Sequence, residues 1–505
     1  MTPDSVALEA PGRLAVIAAE TGIGWSFAEL AETSARWANA LRAAGITPGT
    51  RLAILTPNRI EAFGVYWAAI RCGARYVPIN WHLKPEEGAY ILDNSGARLL
   101  LAHAALGPMA QSLGQGRDIR CIAFGGDIPG FERLESLALG HSASPSAPEI
   151  EGAVMLYSSG TTGKPKGIVH AATAEAPYGT VHPSVQVIID GYGFGAATRY
   201  LCPAPLYHAA PLVWSLTVMR AGGTVLLMEK FDPEQALAAI DRFGITLAQF
   251  VPTHFVRMLR LPEAARARYH LTSLQKVIHA AAPCPVEVKR AMLAWFGPRI
   301  FEFYAGSEGA GMTAIGPEEW LAHPGSVGRA VFGTLHILDE DGKAVPPREV
   351  GTVWFSGGGS FSYHEDAAKT AESRLAGGFA TLGDMGWVDE EGYLYLTDRR
   401  SHMIISGGVN IYPQEVEDLL IMHPAVDDAA VIGVPDAEMG EAVKAVVTLA
   451  PGQVASPALA AALIAHCRAQ LAGFKCPRSV DFVEALPRLE SGKLLKRELR
   501  LRYWP

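Results

Sequence analysis

Residues 157–167 read Tyr-Ser-Ser-Gly-Thr-Thr-Gly-Lys-Pro-Lys-Gly, a composition suited to holding phosphate. Gly160 and Gly163 let the main chain turn sharply and bring N–H groups close to an anion. Ser158, Ser159, Thr161 and Thr162 add hydroxyl donors, and Lys164 and Lys166 add positive charge. The spacing is not that of the nucleotide-kinase loop, which needs Gly, four residues and then Gly-Lys-Ser/Thr. Here Pro165 follows Gly163-Lys164, and Ser158 stands where the first glycine would fall. A lone Gly-Thr-Thr-Gly reads as a polar surface turn. Eleven residues of this composition, set between two short apolar runs, point instead to an anion site.

Five more segments carry candidate chemistry: 205–212 (PLYHAAPL), 279–285 (HAAAPCP), 303–309 (FYAGSEG), 381–400 (TLGDMGWVDEEGYLYLTDRR) and 487–499 (PRLESGKLLKREL). Each alone has a plain reading. A single histidine is more often structural than catalytic, Asp384 ahead of Gly386 fits an Asx turn, and a lysine on a Ser-Gly turn is usually a solvated charge. Taken in order with the 157–167 loop, they resemble the signature segments of the adenylate-forming enzymes, the superfamily of acyl-CoA synthetases, peptide-synthetase adenylation domains and firefly luciferase. The resemblance runs from about residue 25 to 500.

The resemblance implies a role for each segment. The loop, Ser158 to Lys164, would contact the β- and γ-phosphates of ATP. Ala281 and Ala282 would line the adenine, where small residues admit a flat base. Tyr304 would stack on that base, Ser307 would bond the α-phosphate, and Glu308 would hold Mg²⁺, a hard oxygen ligand for a hard cation. Asp384 would accept both ribose hydroxyls and Arg399 would reach ribose or phosphate. His208 would lie beside the carboxylate of the acid, in a pocket with Tyr207, Ala210, Trp214, Ala305, Gly306 and Gly309. Lys493 is the catalytic lysine of the C-terminal signature. Gly407 and Gly408 correspond to the loop lining a pantetheine tunnel, and Lys475 and Arg478 sit where coenzyme A (CoA) is contacted. Three positions depart from the family pattern: Ala305 for glycine, Ser307 for threonine, and Ser401 for the charged hinge residue. Serine keeps the hydroxyl, and a hinge needs permissive dihedrals rather than charge.

The implied chemistry is ATP-dependent activation of a carboxylic acid, then thioester formation. A carboxylate would attack the α-phosphorus, pyrophosphate would leave, and the acyl-AMP would be cleaved by the CoA thiol with AMP departing. Two anions must meet in the first step, so positive charge from Mg²⁺ on Glu308 and from Lys493 is aimed at the transition state. The chain ends at Trp504-Pro505, just past the lysine motif, which favours a stand-alone CoA ligase over an assembly-line adenylation domain. No Asp stands after His208 to pair an amino-acid ammonium. A carrier-protein adenylation domain and a luciferase-like enzyme are the alternatives. The small and apolar pocket candidates favour an apolar or aromatic acid: a hydroxycinnamate or other aryl acid, or a medium- to long-chain fatty acid.

The elements that must position these residues alternate. Ser26-Phe27-Ala28-Glu29 has the form of a capping box, and the apolar period behind it predicts a helix ending at Gly45. RLAILTPN, RYVPIN and ARLLLA read as strands, separated by helices over RIEAFGVYWAAIRCG and EEGAYILDNSG. This order predicts an α/β fold with a largely parallel sheet. After about residue 355 the rhythm becomes β-rich: SGGGSFSYHED reads as a loop and 381–400 as a hairpin, and the family resemblance implies a β-barrel-like subdomain here. A fresh helix begins at PQEVE, and residues 456–466 read as another. We expect two domains, an adenylating domain over 1–399 and a mobile α/β domain over 400–505 that carries Lys493.

The bulk properties of the 505 residues agree. A formal net charge of −8 argues against nucleic acid as partner. Six scattered cysteines with no Cys-x-x-Cys pair predict a reducing, cytoplasmic setting. No window resembles a signal peptide or a membrane span.

Overall fold

The predicted capping box closes at the start of the first long helix. Ser26 N donates to Glu29 Oε2 at 2.7 Å, and Glu29 N donates back to Ser26 Oγ at 3.2 Å. The helix, Phe27–Ala43, buries Phe27, Leu30, Trp37 and Leu41 on one face, the side that packs on helix Glu61–Arg71. The computed structural model describes residues 2–158, 164–170, 176–399, 402–407, 409–488 and 494–504, with the main chain alone at Arg399. Ser159, Gly160, Thr161, Thr162, Gly163, Ser401, Gly408 and Lys493 lie outside the described residues.

Two large sheets follow from the strand–helix alternation. One has six parallel strands in the order Glu132–Arg133, Arg120–Phe124, Leu99–His103, Arg51–Leu55, Arg75–Pro78, Ala153–Val154. The other has nine, in the order Arg329–Phe332, Met312–Ile315, Ile300–Ala305, Lys276–His279, Leu247–Phe250, Arg199–Cys202, Thr224–Leu227, Leu14–Ala18, Gly24–Ser26. Its inner strands are parallel, and antiparallel strands close both edges. Helices cover the faces, so the inner strands read as apolar runs rather than alternating ones. Trp67, Trp214, Tyr66, Tyr200, Phe27 and Phe63 are among the largest side chains fully removed from solvent.

The β-rich part holds a five-stranded antiparallel sheet. Strands Thr334–Leu338, Gly351–Ser356, Phe379–Val388 and Arg374–Leu375 run in that order, and Leu394–Arg399 also pairs with Phe379–Val388 as the expected hairpin. One sequence expectation fails here. The stretch read as a loop, SGGGSFSYHED, contains the strand Phe361–Tyr363, which pairs antiparallel with Lys166–His170. Lys166–His170 pairs in turn with Leu156–Ser158, forming a small three-stranded sheet. The Gly-rich approach hid the strand: three residues are too few for an alternation to register, and their partner lies about 195 positions away.

From Ile404 onward a separate sheet forms. Val409–Ile411, Ile404–Ser406, Gly440–Leu449 and Val426–Asp436 are antiparallel neighbours, and Ser479–Phe482 runs parallel to Gly440–Leu449. Helices Pro413–Ile421 and Pro457–Arg468 pack on it around a core that includes Val416, Leu420, Val431, Val447 and Leu463. All six cysteines are free thiols. No helix among the described residues is long and apolar enough to cross a membrane.

Candidate active site

Three of the predicted segments leave the carboxyl ends of neighbouring strands. Arg199–Cys202 lies between Thr224–Leu227 on one side and Leu247–Phe250 on the other. The strand order therefore reverses at Arg199–Cys202, and open α/β sheets bind ligands in the crevice at such a switch. The loop leaving this strand carries Tyr207 and His208. It is splinted by Asn58, which the sequence reading missed: the buried amide donates to Ala204 O (3.0 Å) and Met228 O (2.9 Å) and accepts from Leu206 N (2.9 Å). His208 then takes the N-cap position of helix Ala209–Arg220. Its ring lies 4.4 Å from that of Tyr207, which lies 6.3 Å from His82.

Strand Lys276–His279 ends in three alanines. Ala281 has φ +76°, a left-handed conformation that costs an L-residue roughly 1–2 kcal/mol and is held only by its surroundings. Ala281 is exposed and Ala282 half-buried, so the main chain here is open to a flat ligand. Directly beneath, His279 is fully buried, and burial together with the Lys289 cation holds it well below the usual histidine range, hence neutral. Lys289 donates to Glu302 at 2.6 Å, anchoring the next strand.

That strand, Ile300–Ala305, presents alternate residues to two different neighbours. Phe303 faces helix Ala209–Arg220 and stacks on Trp214, with ring centroids 5.3 Å apart and planes at 19°. Tyr304 faces the antiparallel sheet, where its hydroxyl donates to Asp384 Oδ2 at 2.7 Å. Its ring lies 6.4 Å from Phe355. Asp384 sits opposite Arg399 in the hairpin register. Gly309 N donates to Gly306 O at 3.0 Å, so residues 306–309 form a tight turn with Ser307 and Glu308 at its tip. Gly309 has φ +64°, and a side chain there would press on the His170 ring.

Two groups that sequence reasoning missed hold this turn. Tyr363 Oη donates to Glu308 Oε1 at 2.9 Å, and His170 Nε2 lies 3.0 Å from the Ser307 carbonyl. Both come from the small sheet whose first two strands flank the segment expected to hold phosphate. Ser158 pairs in register with Lys166 at the loop's base. Lys166 is engaged with Asp366 at 2.5 Å, whereas Lys164 is exposed, its ammonium 4.9 Å over the Tyr90 ring.

The structure gathers Ser158, Lys164, Tyr304, Ser307, Glu308 and Asp384 around elements in direct contact. Trp214 is treated differently from the rest of the predicted acid pocket, being buried in an aromatic cluster with Tyr192, Phe194 and Phe303. Ala210 lies one turn above it, and Ala305 two residues above Phe303, exposed. Lys475 and Arg478 are engaged within their own unit, with Glu415 (2.6 Å) and Asp436 (3.4 Å). Gly407 has φ +58°, and a Cβ there would fall 2.4 Å from Met439 Cε. At the junction, the buried Lys496 bridges Glu417 (2.9 Å) and Asp398 (3.5 Å), and Asp398 also meets His402 at 3.2 Å.

The donor set around Glu308 fits Mg²⁺. One carboxylate oxygen is tied by Tyr363. The other overhangs Gly306, where a Cβ would come within 2.7 Å of it. Mg²⁺ typically takes one or two carboxylates plus substrate phosphates rather than an all-protein cage. Among the described residues no group of three or more His, Cys, Asp or Glu could hold a metal alone.

A sheet switch point flanked by hydroxyl, carboxylate and ammonium side chains is an architecture that nucleotide-using enzymes share. The chain belongs to the AMP-binding enzyme family: the family's main domain matches residues 4–363 and its C-terminal domain residues 415–493. It is 34% identical over 490 residues to a feruloyl-CoA synthase of Amycolatopsis sp, covering 95% of this chain and 94% of that one. It is 32% identical over 489 residues to the fatty acid–[acyl-carrier-protein] ligase ScoC of Streptomyces coeruleorubidus, covering 95% and 92%. Among solved structures, ATP-bound MatB from Rhodopseudomonas palustris superposes with a TM-score of 0.83 at 28% identity, covering 100% of this chain and 99% of that one.

Proposed function

We propose that this protein is an ATP-dependent carboxylate–CoA ligase that forms an acyl-AMP and then an acyl-CoA thioester. The observation that carries the reading is the 306–309 turn, which sets a hydroxyl and a carboxylate side by side, a tyrosine–aspartate pair at one flank and the phosphate-loop strands at the other. In the first step a carboxylate oxygen attacks the α-phosphorus, and the bond to the pyrophosphate oxygen breaks. Ser307 donates to the α-phosphate as charge builds there, and Asp384 holds the ribose hydroxyls. Glu308 would hold Mg²⁺, which would supply positive charge against the phosphates. Lys164 and the loop hold the leaving pyrophosphate, and Lys493 brings an ammonium to the oxygens between acid and α-phosphate. Losing a charge-stabilising donor of this kind typically lowers the rate on the order of 10²–10³. The thiol step needs positioning more than acid–base help, because AMP leaves readily. We assign the adenylating machinery to 1–399 and the lysine-bearing mobile unit to 400–505, turning about Ser401. Arg399, Gly407 and Gly408 keep the roles the family resemblance gives them.

The acid is a ring-sized aromatic or short apolar one. We assign the acid to the side of helix Ala209–Arg220 that faces strand Ile300–Ala305, with Ala210 and Ala305 toward the opening and the Trp214–Phe303 stack as its floor. One helical turn, about 5.4 Å, separates Ala210 from that floor, which leaves depth for one ring. Acid-dependent pyrophosphate release across a panel of benzoates, cinnamates and fatty acids, followed by CoA consumption, tests the reading. Pyrophosphate release without CoA consumption would refute the acceptor, and a preference for chains of twelve or more carbons would refute the floor.

A carrier-protein phosphopantetheine thiol is the second reading of the acceptor. The pairing of Lys475 and Arg478 with Glu415 and Asp436 leaves less free charge for the CoA phosphates. The similarity to a carrier-protein ligase supports the same reading.

A further inference from the structure

We propose that Tyr363 and His170 are positioning residues that lock the Ser307–Glu308 turn onto the same small sheet that carries the phosphate loop. The inference rests on the reading above, in which Glu308 is the Mg²⁺ ligand and Ser307 the α-phosphate donor.

The geometry is set by register. In the antiparallel pair Lys166–His170 with Phe361–Tyr363, Ile168 stands opposite Tyr363 and His170 opposite Phe361. Directly opposed residues share a face, as do residues two apart on a strand. Lys166, Ile168, His170, Phe361 and Tyr363 therefore lie on one face. Its apolar members pack on Ala310, the residue just after the turn. Its two polar tips land on the turn itself: Tyr363 Oη on the Glu308 carboxylate at 2.9 Å, and His170 Nε2 on the Ser307 carbonyl at 3.0 Å. A main-chain bond from Gly359 N to Gly309 O at 3.0 Å completes the attachment.

The glycines show that these contacts are designed into the turn. At Gly306 a Cβ would meet Glu308 Oε2 and Leu382 within 2.7 Å, and at Gly309 it would meet the His170 ring at 3.3 Å. Removing both Cβ atoms lets the carboxylate fold back over the turn and lets the imidazole lie against the main chain. With Oε1 fixed by a neutral donor, Oε2 is left to face a cation in one direction. A carbonyl partner requires the Nε2–H form of His170, and burial holds this imidazole below its usual range and so uncharged. The consequence is coupling: one strand runs from the base of the phosphate loop at Lys166 to the turn at His170, a span of roughly 13 Å at 3.3 Å per residue. The strand that begins at the base of the loop segment and the turn carrying Ser307 and Glu308 are thus tied to one sheet.

The test uses the full chain and measures binding as well as turnover. Mg²⁺ is titrated into protein and a fluorescent ATP analogue, and anisotropy reads the half-saturating Mg²⁺ concentration. Tyr363→Phe is expected to raise it on the order of 10-fold, the usual loss when a ligand's orienting partner is removed. The double variant Tyr363→Phe/Glu308→Gln should be no worse than Glu308→Gln alone, because the hydroxyl acts through that carboxylate. His170→Ala should raise the KM for MgATP about 10-fold, while His170→Gln, whose amide can still donate, should recover most of that loss. An unchanged Mg²⁺ requirement in Tyr363→Phe, or additive losses in the double variant, would overturn the proposal. Equal defects in His170→Ala and His170→Gln would do the same. Thermal melts of each variant separate these outcomes from misfolding; if Tyr363→Phe does not fold, the His170 pair decides. Wild-type protein that binds MgATP but releases no pyrophosphate with any acid would refute the ligase reading instead, leaving the binding comparison intact.

Discussion

Replacing Lys496 by methionine should be among the most damaging single changes at the junction of the two parts. The ammonium is 6% exposed and bridges Glu417 on helix Pro413–Ile421 and Asp398 at the end of strand Leu394–Arg399. Glu417 also accepts from Val431 N at 2.6 Å, and Asp398 from His402. Methionine fills similar space but removes the cation that the two buried carboxylates share. Breaking a buried pair in this way costs about 3–5 kcal/mol. The melting response then reports how the chain unfolds. With unfolding entropy near 2.1 cal/mol/K per residue, about 100 residues melting alone give ~0.2 kcal/mol/K and a drop of roughly 15–25 °C, whereas all 505 melting together give a drop of only about 3–5 °C. Differential scanning calorimetry of the full chain, with Lys496→Arg as the charge-preserving control, measures this directly. A Lys496→Met protein whose transition lies within 1 °C of wild type would refute the argument that this lysine neutralises the junction.

Three further outcomes are expected. Tyr304→Phe removes the hydroxyl that fixes Asp384 and should raise the KM for ATP about 2–10-fold, as befits one net hydrogen bond of 0.5–1.5 kcal/mol. Asp384→Ala, read in the same assay, should cost more, because it removes both the partner of the Tyr304 hydroxyl and the carboxylate assigned to the ribose hydroxyls. Trp214→Ala should cost about 3–5 kcal/mol in urea denaturation while shifting the acid profile toward longer acids; an unchanged profile in folded protein would remove Trp214 from the pocket floor. Burial raises Asp418 to about 7, with Glu417 and Asp398 adding to the shift and Gln414 and Lys496 opposing it. The folded state then holds a proton that the unfolded carboxyl releases near 3.9, so stability should fall as pH rises from about 4 to 7. Asp418→Asn should flatten that slope in melts between pH 4 and 7, and an equally steep slope would count against it.

Local signals were legible wherever neighbours in sequence are also neighbours in space. The Ser26–Glu29 cap, helix Phe27–Ala43 and the hairpin around Asp389–Gly392 are decided within a few residues of chain, so composition and period suffice. Strand Phe361–Tyr363 was not legible: its three residues follow a run of glycines, and their partner strand lies far up the chain. Asn58, His170 and Tyr363 escaped notice for a related reason. Each is an unremarkable polar residue whose importance is the atom it touches: Leu206 N, Ser307 O and Glu308 Oε1 respectively.

The sequence by itself determined the inventory of this protein: an acidic α/β chain, a Gly- and hydroxyl-rich loop, a Tyr–Ser–Glu turn, and enough ordered motifs to indicate a family. Residue types carry that information because chemistry depends on which hydroxyl, carboxylate or ammonium is present, and a motif keeps them in fixed local order. Only the tertiary structure decided how the parts face one another. It showed that strand order reverses at Arg199–Cys202 and that Phe303 and Tyr304 look to opposite sides. It showed that Trp214 is buried against Phe303, and that strands Leu156–Ser158 and Lys166–His170 share one sheet with the strand whose Tyr363 holds Glu308. Those are statements about residues brought together across tens to hundreds of positions by burial of apolar faces, and no local pattern in a single chain encodes which faces will meet.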